Sequence, residues 1–183
     1  MDRDKIIAMD VDGVIADLAP AWLARYNHDY NDNLKPSDLT GWDTHKFVKP
    51  ECGFKMYDYL KDPHLYDDVL PTDGALDAIN ILKAHDYRIV YVTVTPIDAS
   101  GRKFFWLRQY TFITDIKDYV EASDKSLIRA GTIVDDKPEN LDTFDGKKIL
   151  FVQPWNQFQQ YNPNYLSAIN WKDVLFYILG EIK

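Results

Sequence analysis

The chain has 183 residues, 46% of them hydrophobic, and a formal net charge of −8 at pH 7. This length fits one core domain with a small insertion, and the acidic balance disfavours a long basic groove for a nucleic-acid polymer. The single cysteine, Cys52, excludes an internal disulfide, and no apolar run approaches the ~20 residues of a membrane span. Because the start of the chain is too charged for a signal peptide, we expect a cytoplasmic protein.

The first predicted element lies in the stretch KIIAMDVDGVIAD, from Lys5 to Asp17. Its apolar run is typical of a buried strand in a parallel sheet, and we expect this strand to end near Asp12. Side chains along a strand alternate between faces, so Asp10 and Asp12 point the same way at its carboxyl end. Two carboxylates held that close repel each other unless a cation or a proton offsets the charge. The pair is therefore a candidate site.

A hairpin is the alternative interpretation of this stretch, because the dipeptide Asp12-Gly13 is of the kind favoured in two-residue turns. The residues that follow favour a different structure. Pro20 suits a first helical turn, and Trp22 and Tyr26 recur at helical spacing. We therefore predict a strand, a turn and a helix.

The region from residue 29 to residue 70 is rich in aromatic residues, and its segment ECGFKMYDYLKD predicts a helix. We predict a small, mainly helical cap insertion at residues 29–70, folded over the sheet edge, and a core domain formed by residues 1–28 and 71–183. The aromatic side chains fit either a ligand site or a small core of the insertion itself. They are Trp42, Phe47, Phe54, Tyr57, Tyr59 and Tyr66.

Strands and helices alternate along the rest of the chain. We predict strands at Arg88–Thr95, around Tyr119-Val120, at Gly131–Asp136 and at Lys147–Gln153, with helical segments at DGALDAINILKAHD, SGRKFFWLRQY, DKSLIRA and NWKDVLFYILGEI. This order predicts an α/β fold with a parallel sheet and helices on both faces. In such sheets ligands bind outside the carboxyl ends of the strands. The polar residues at these ends are Asp10, Thr93 or Thr95, and Asp135-Asp136.

Four short motifs together resemble those of the haloacid dehalogenase (HAD) superfamily of phosphotransferases. They are Asp10-Val-Asp12-Gly13-Val, a strand ending in threonine, Lys125, and the doublet Asp135-Asp136. The stretches DVDGVIAD, SDKSLIRAGTIVDDKPEN and INWKDVL are similar, more narrowly, to the 5'(3')-deoxyribonucleotidase family. The resemblance spans nearly the whole chain and implies a Rossmann-like core with a cap.

The resemblance also implies a role for each aspartate. It makes Asp10 the nucleophile that takes the phosphoryl group, and Asp12 the acid and base that serves the leaving oxygen and then the attacking water. It implies Mg²⁺ as the cofactor, bound by Asp10, by the backbone carbonyl of Asp12 and by Asp136, with Asp135 as a further candidate ligand.

Elementary chemistry supports these roles. A dianionic phosphate monoester repels a carboxylate nucleophile, so the attack needs a cation that bridges both, and Mg²⁺ prefers carboxylate oxygens. The charge of a neighbour favours the protonated form of Asp12 that a general acid needs. Lys125 can place its charge against the phosphoryl oxygens. Alternatively, Lys125 is a solvated surface residue, and Asp135-Asp136 caps a helix that begins near Pro138.

The phosphate-binding threonine is ambiguous in the sequence YVTVTPI. Counting from Tyr87 favours Thr93, whereas aligning on Pro96 favours Thr95. We prefer Thr93, whose hydroxyl would complete the phosphate site together with Lys125.

Three further positions bear on substrate choice. Where nucleotidases of the mammalian type carry an aromatic residue after the first motif, this chain has Leu18, and where they carry arginine after the aspartate pair it has Lys137. Trp42 follows a glycine that could let it turn inward, so it either stacks on a substrate base or is buried in the core of the insertion.

The sequence thus predicts a Mg²⁺-dependent phosphatase of small phosphate monoesters, above all deoxyribonucleotides, with no nucleic-acid polymer and no membrane as partner. A sugar phosphate or a nucleic-acid 3' end is the alternative substrate. A non-catalytic binding module with the same fold is the alternative outside enzymes. The oligomeric state, monomer or homodimer, stays open.

Overall fold

The computed structural model describes residues 2–99 and 101–180. Its centre is a six-stranded, all-parallel sheet in the order β5-β4-β1-β6-β7-β8. The strands are β1 (Ile6–Met9), β4 (Arg88–Thr93), β5 (Tyr119–Glu121), β6 (Thr132–Asp135), β7 (Lys147–Phe151) and β8 (Leu166–Ala168). Along the chain, β4 and β5 first extend the sheet on one side of β1, and β6, β7 and β8 then extend it on the other side. The strand order therefore reverses at β1. Ligand sites form at such reversals.

Helices cover both faces of the sheet, as predicted. They are α1 (Leu18–Tyr30), α2 (Ala75–Ala84), α3 (Arg102–Gln109), α4 (Pro138–Thr143) and α5 (Trp171–Leu179). Ile7 and Met9 point into a core shared with α2, α3 and α5, whereas Ala8 points into the opposite core with Leu141 of α4. This division follows from the alternation of side chains along β1. The predicted α/β fold is confirmed.

The structure corrects one predicted helix and one predicted strand end, and it contains two further elements. The segment DKSLIRA forms only a 3-10 turn at Lys125–Leu127, because its chain becomes extended at Ile128 on the way into β6. β4 ends at Thr93 rather than at Thr95. β8 was not predicted, since a strand of three residues is too short to show a period, and α4 begins at Pro138, where the sequence offered a helix only as an alternative.

A two-stranded antiparallel ribbon, also unpredicted, joins the two ends of the cap region. Its strands are β2 (Ala16–Asp17) and β3 (Leu70–Pro71). Between them, the predicted helical segment forms a 3-10 helix at Gly53–Lys61. The other 3-10 helices are Arg3–Lys5, Pro36–Asp38, Thr44–Lys46, Leu65–Asp67, Ile97–Ala99, Ile116–Asp118 and Gln157–Tyr161.

The cap region has a small core of its own. Leu23 and Tyr26 of α1 pack there with residues of the insertion, namely Leu39, Val48, Cys52 and Met56. The division of the chain at residues 28 and 29 stays a prediction, and it falls inside α1. Among the described helices, none is long and apolar enough to cross a membrane.

Candidate active site

Asp10 is the first residue after β1, and two contacts fix it at the carboxyl end of the sheet. Its backbone N–H donates to the carbonyl of Val134 at 2.9 Å. Its carboxylate accepts from the ammonium of Lys125 at 2.6 Å. Asp10 is 8% exposed and lines a cavity above the strand ends.

Lys125 is buried between two carboxylates. The 3-10 turn that carries it precedes β6, and its ammonium lies 2.6 Å from Asp10 and 2.7 Å from Asp135. Burial alone would lower the pKa of Lys125, but the two carboxylates outweigh burial and raise it. The ammonium therefore stays charged. Lys125 is therefore buried and is not the solvated surface residue that the sequence left as an alternative.

The doublet at the end of β6 is held by a second set of donors. Asp135 accepts from the side-chain amide of Asn140 at 3.1 Å and from the backbone N–H of Lys137 at 2.9 Å. Asp136 accepts from the indole of Trp155 at 2.8 Å. Burial raises the pKa of Asp135 to about 6, with the charge of Asp10 adding to the effect and Lys125 opposing it. Burial, followed by the charges of Asp10 and Asp135, also raises the pKa of Asp136.

The three aspartates Asp10, Asp135 and Asp136 form a cluster with the spacing of a cation site. One carboxylate oxygen from each lies within 4.8 Å of the other two. Nearby Asp12 adds a fourth carboxylate, whereas the buried ammonium groups beside the four are those of Lys103 and Lys125. This excess of negative charge, carried by hard oxygen donors, fits Mg²⁺.

Two side chains that the sequence did not identify as site residues form hydrogen bonds with Asp12. One carboxylate oxygen accepts from the hydroxyl of Tyr66, and the other accepts from the ammonium of Lys103 at 2.6 Å. Burial raises the pKa of Asp12, the charge of Lys103 lowers it, and the charge of Asp10 raises it again, with a net rise. The site therefore favours a protonated Asp12 more than water does.

Lys103 also ties Asp12 to the end of β4. Its ammonium donates to the hydroxyl of Thr93 at 2.8 Å and to the carbonyl of Val94. It lies in the first turn of α3, whose start faces the strand ends. This location was the one signal in the sequence that could have identified Lys103, because the helix was predicted in that place. Tyr66 carried no signal that separates it from the other aromatic residues of the insertion.

The cavity above the strand ends has a volume of about 340 Å³. Thr93, the last residue of β4, lines it, whereas Thr95 is not among the described residues that do. Asp135 lies behind the lining, fully buried. The polar floor consists of Asp10, Asp12, Thr93, Lys125 and Asp136.

The wall of the cavity is largely aromatic and comes mostly from α1 and the insertion. Trp42 is 45% exposed and does not belong to the insertion's buried core. The ammonium of Lys137 lies 5.3 Å from the centre of its indole ring. Leu18, at the start of α1, also lines the cavity. The remaining wall includes Trp22, Tyr57, Leu60 and Trp155.

Comparison with known sequences identifies the family. A sequence model of the family described as "5' nucleotidase, deoxy (Pyrimidine), cytosolic type C protein" matches residues 4–181. The chain belongs to this family. A 5'(3')-deoxyribonucleotidase from Clostridium acetobutylicum is 32% identical over 165 residues, which cover 90% of this chain and 89% of that protein. A second one, from Bacillus subtilis, is 29% identical over 172 residues, which cover 93% and 96%.

Solved structures with the same fold are HAD-like hydrolases. A haloacid dehalogenase-like family hydrolase from Streptococcus pneumoniae has a TM-score of 0.60 at 13% identity, covering 94% of this chain and 97% of its own. The HAD-hydrolase YfnB from Bacillus subtilis, solved bound to magnesium, has a TM-score of 0.62 at 13% identity, covering 97% and 99%. These likenesses show the fold alone. The family match confirms the predicted nucleotidase family and the predicted class of phosphoric monoester hydrolase, and these likenesses confirm the predicted HAD-like fold.

In this member of the type C nucleotidase family, Gly13 allows the backbone to pass directly against Asp136. Its φ is +73°, and a Cβ atom would lie 2.4 Å from a carboxylate oxygen of Asp136. We expect Gly13→Ala to displace Asp136 and to lower phosphatase activity by about 100-fold, the scale of an ångström-sized displacement in an active site.

Gly53→Ala is the matched control for this prediction. Gly53 also has a positive φ, +47°, but open space where the Cβ would lie. Both variants should lose about 1–2 kcal/mol of unfolding free energy through backbone strain, measured by urea denaturation. Only Gly13→Ala should lose activity. Equal activity in the two variants would contradict the close approach to Asp136.

Proposed function

We propose that this chain is a Mg²⁺-dependent 5'(3')-deoxyribonucleotidase that works through an aspartyl-phosphate on Asp10. The observation that carries the proposal is the floor of the cavity. A nucleophile candidate, an acid candidate two residues later, a threonine hydroxyl and a buried ammonium all open onto one space of about 340 Å³. That volume suits a small ligand. The curated relatives are named for this activity.

Asp10 is suited to attack phosphorus. Lys125 binds one of its oxygens at 2.6 Å, which fixes the rotamer of the carboxylate and leaves the other oxygen available to the substrate. In the first step an Asp10 oxygen bonds to phosphorus while the bond from phosphorus to the ester oxygen breaks. Lys125 and Thr93, both lining the cavity, then lie where charge grows on the phosphoryl oxygens.

The metal would be held by Asp10, Asp136 and the backbone carbonyl of Asp12. Asp135 is assigned a different task, since its oxygens already accept from Lys125, Asn140 and the N–H of Lys137. It orients Lys125 and adds negative charge behind the cluster. When bound, Mg²⁺ would offset the repulsion between the Asp10 carboxylate and a dianionic phosphate.

Asp12 supplies and then removes one proton. In the first step its protonated carboxyl gives a proton to the departing ester oxygen, which leaves as an alcohol. In the second step a water oxygen attacks phosphorus, the bond to Asp10 breaks, and Asp12 takes the proton of that water. The raised pKa of Asp12 supports this role because it increases the protonated fraction that the first step needs.

The aromatic wall favours nucleotides over sugar phosphates. A planar base can stack on an indole, whereas a sugar phosphate leaves that surface without a partner. Trp42 presents such a half-exposed surface to the cavity. A nucleic-acid 3' end fits less well, given the small cavity and the net charge of −8.

Replacement of the nucleophile tests the proposed chemistry. Asp10→Asn keeps the shape of the side chain but removes the attacking charge and a metal ligand, so phosphate release from deoxyribonucleoside monophosphates should fall by roughly 10⁴-fold or more. Asp77→Asn, at an exposed position on α2, is the control and should keep full activity. An Asp10→Asn protein with half of the wild-type activity would eliminate the aspartyl-phosphate route.

Metal dependence is a separate test. Excess chelator should abolish phosphate release, and Mg²⁺ should restore it, whereas Ca²⁺ should bind but support little turnover because it is larger and less strict in geometry. Mg²⁺ should also raise the melting temperature of the wild type and not that of Asp136→Asn. Full activity in excess chelator would contradict the assignment.

The role of Trp42 is tested by comparing two substrates. Trp42→Ala should lower kcat/KM for a deoxyribonucleoside monophosphate by about 10-fold, since stacking of a base on an aromatic side chain contributes about 1–3 kcal/mol. It should affect a small aryl phosphate much less. Phe54→Ala, an aromatic truncation at a 72% exposed position of the insertion, is the control. Equal losses on both substrates with a lower melting temperature would mean that Trp42 is structural.

A further inference from the structure

The carboxylate of Asp12 is held on both oxygens by side chains that do not reach the substrate space. Tyr66 donates to one oxygen, and Lys103 donates to the other at 2.6 Å. Neither Tyr66 nor Lys103 is among the described residues that line the cavity, whereas Asp12 is. Their contacts with Asp12 therefore lie behind the reacting groups.

The two side chains belong to different parts of the molecule. Lys103 lies on α3 of the core, is 3% exposed, and is itself held by Thr93 and the carbonyl of Val94. Tyr66 lies in the last 3-10 helix of the insertion. Its ring packs edge-on against Trp106 of α3, with ring centres 5.8 Å apart. The hydroxyl of Tyr66 thus brings a donor from the insertion to a residue of the core.

The geometry points to Tyr66 and Lys103 as positioning residues that together hold the Asp12 carboxyl in the orientation needed to protonate the leaving group, with Tyr66 linking that orientation to the cap. A carboxylate offers about four lone-pair sites. Lys103 and Tyr66 both donate to the carboxylate, so the proton that the proposed mechanism assigns to Asp12 would take one of the other sites. This inference rests on the proposed role of Asp12.

The dependence of rate on the leaving group separates this role from a structural one. The leaving group of a deoxyribonucleoside monophosphate is a strongly basic nucleoside alkoxide that needs a proton, whereas para-nitrophenolate is weakly basic and leaves with little help from an acid. The value of kcat/KM reports the steps through the first phosphoryl transfer, which is where the acid acts. The ratio of kcat/KM for the two substrates is therefore the quantity to measure.

Tyr66→Phe removes the hydroxyl and keeps the ring against Trp106. We expect kcat/KM for a deoxyribonucleoside monophosphate to fall roughly 10-fold, as for the loss of a hydrogen bond to a charged group. For para-nitrophenyl phosphate it should stay within about 2-fold of the wild type, and the melting temperature should be unchanged. Tyr59→Phe is the matched control, because Tyr59 also donates from the insertion to a carboxylate, that of Asp29 at 2.7 Å. It should change neither value.

Lys103→Met tests the second positioning residue with the same two substrates. Both substrates should lose activity, because Lys103 also holds Thr93, but the nucleotide should lose roughly 10-fold more. The double variant should lose less on the nucleotide than the product of the two single losses, because both residues act on one carboxyl. Equal losses on both substrates, or no loss in Tyr66→Phe, would overturn the assignment while leaving the proposed function intact. A wild-type chain that releases no phosphate from any deoxyribonucleoside monophosphate would overturn the proposed function and, with it, this assignment.

Discussion

The ammonium of Lys125, enclosed between Asp10 and Asp135, is the interaction on which the site depends. Without it, the carboxylates at the ends of β1 and β6 would face each other in a buried setting with nothing between them. Removing one partner from such a buried set typically costs about 3–5 kcal/mol, because an uncompensated charge is left behind. Lys125 therefore has two effects. It offsets the repulsion between the two strand ends, and it fixes the Asp10 carboxylate in the place that the proposed attack on phosphorus requires.

Two of the attachments between the insertion and the core lie in the same part of the molecule. The ribbon pairs β3, where the insertion ends, with β2, which directly follows the Asp12 turn and precedes α1. A second attachment runs through α3, where the indole of Trp106 donates to the carbonyl of Val69 at 2.9 Å. Both attachments lie close to Asp12. A displacement of the insertion would consequently affect Asp12 sooner than Asp10, whose contacts are with Val134 of β6 and with Lys125.

The parts of the fold that the sequence predicted are those with long local patterns. The runs that form β1, β4 and β6 are apolar enough to be recognised as buried strands, and their ends locate Asp10, Thr93 and Asp135-Asp136 at one edge. By contrast, β8 has three residues and the ribbon strands have two each, so no period can emerge. Short elements of this kind are defined by their partners in space.

The same distinction applies within the site. The motif aspartates and Lys125 stand in recognisable local contexts, whereas Lys103 and Tyr66 meet Asp12 from 91 and 54 residues away along the chain. Nothing near Tyr66 distinguishes it from the neighbouring tyrosines until the insertion has folded over α3. Counting along the sequence left Thr93 and Thr95 as alternatives, whereas the structure shows that Thr93 ends β4 and lines the cavity.

The charge balance has a consequence for binding under the proposed function. The chain carries a net charge of −8, and its buried ammonium groups beside the aspartates are already paired, so the floor offers little free positive charge to a dianionic phosphate. Charges farther off than about 8 Å are screened at physiological salt and cannot compensate. A phosphate monoester would therefore bind well only together with a divalent cation at Asp10 and Asp136. By linkage, the cation would bind more tightly when the phosphate is present, by the same factor. Substrate and metal would thus each raise the affinity for the other. Strong binding is then expected only of molecules that can bind the same cation as Asp10.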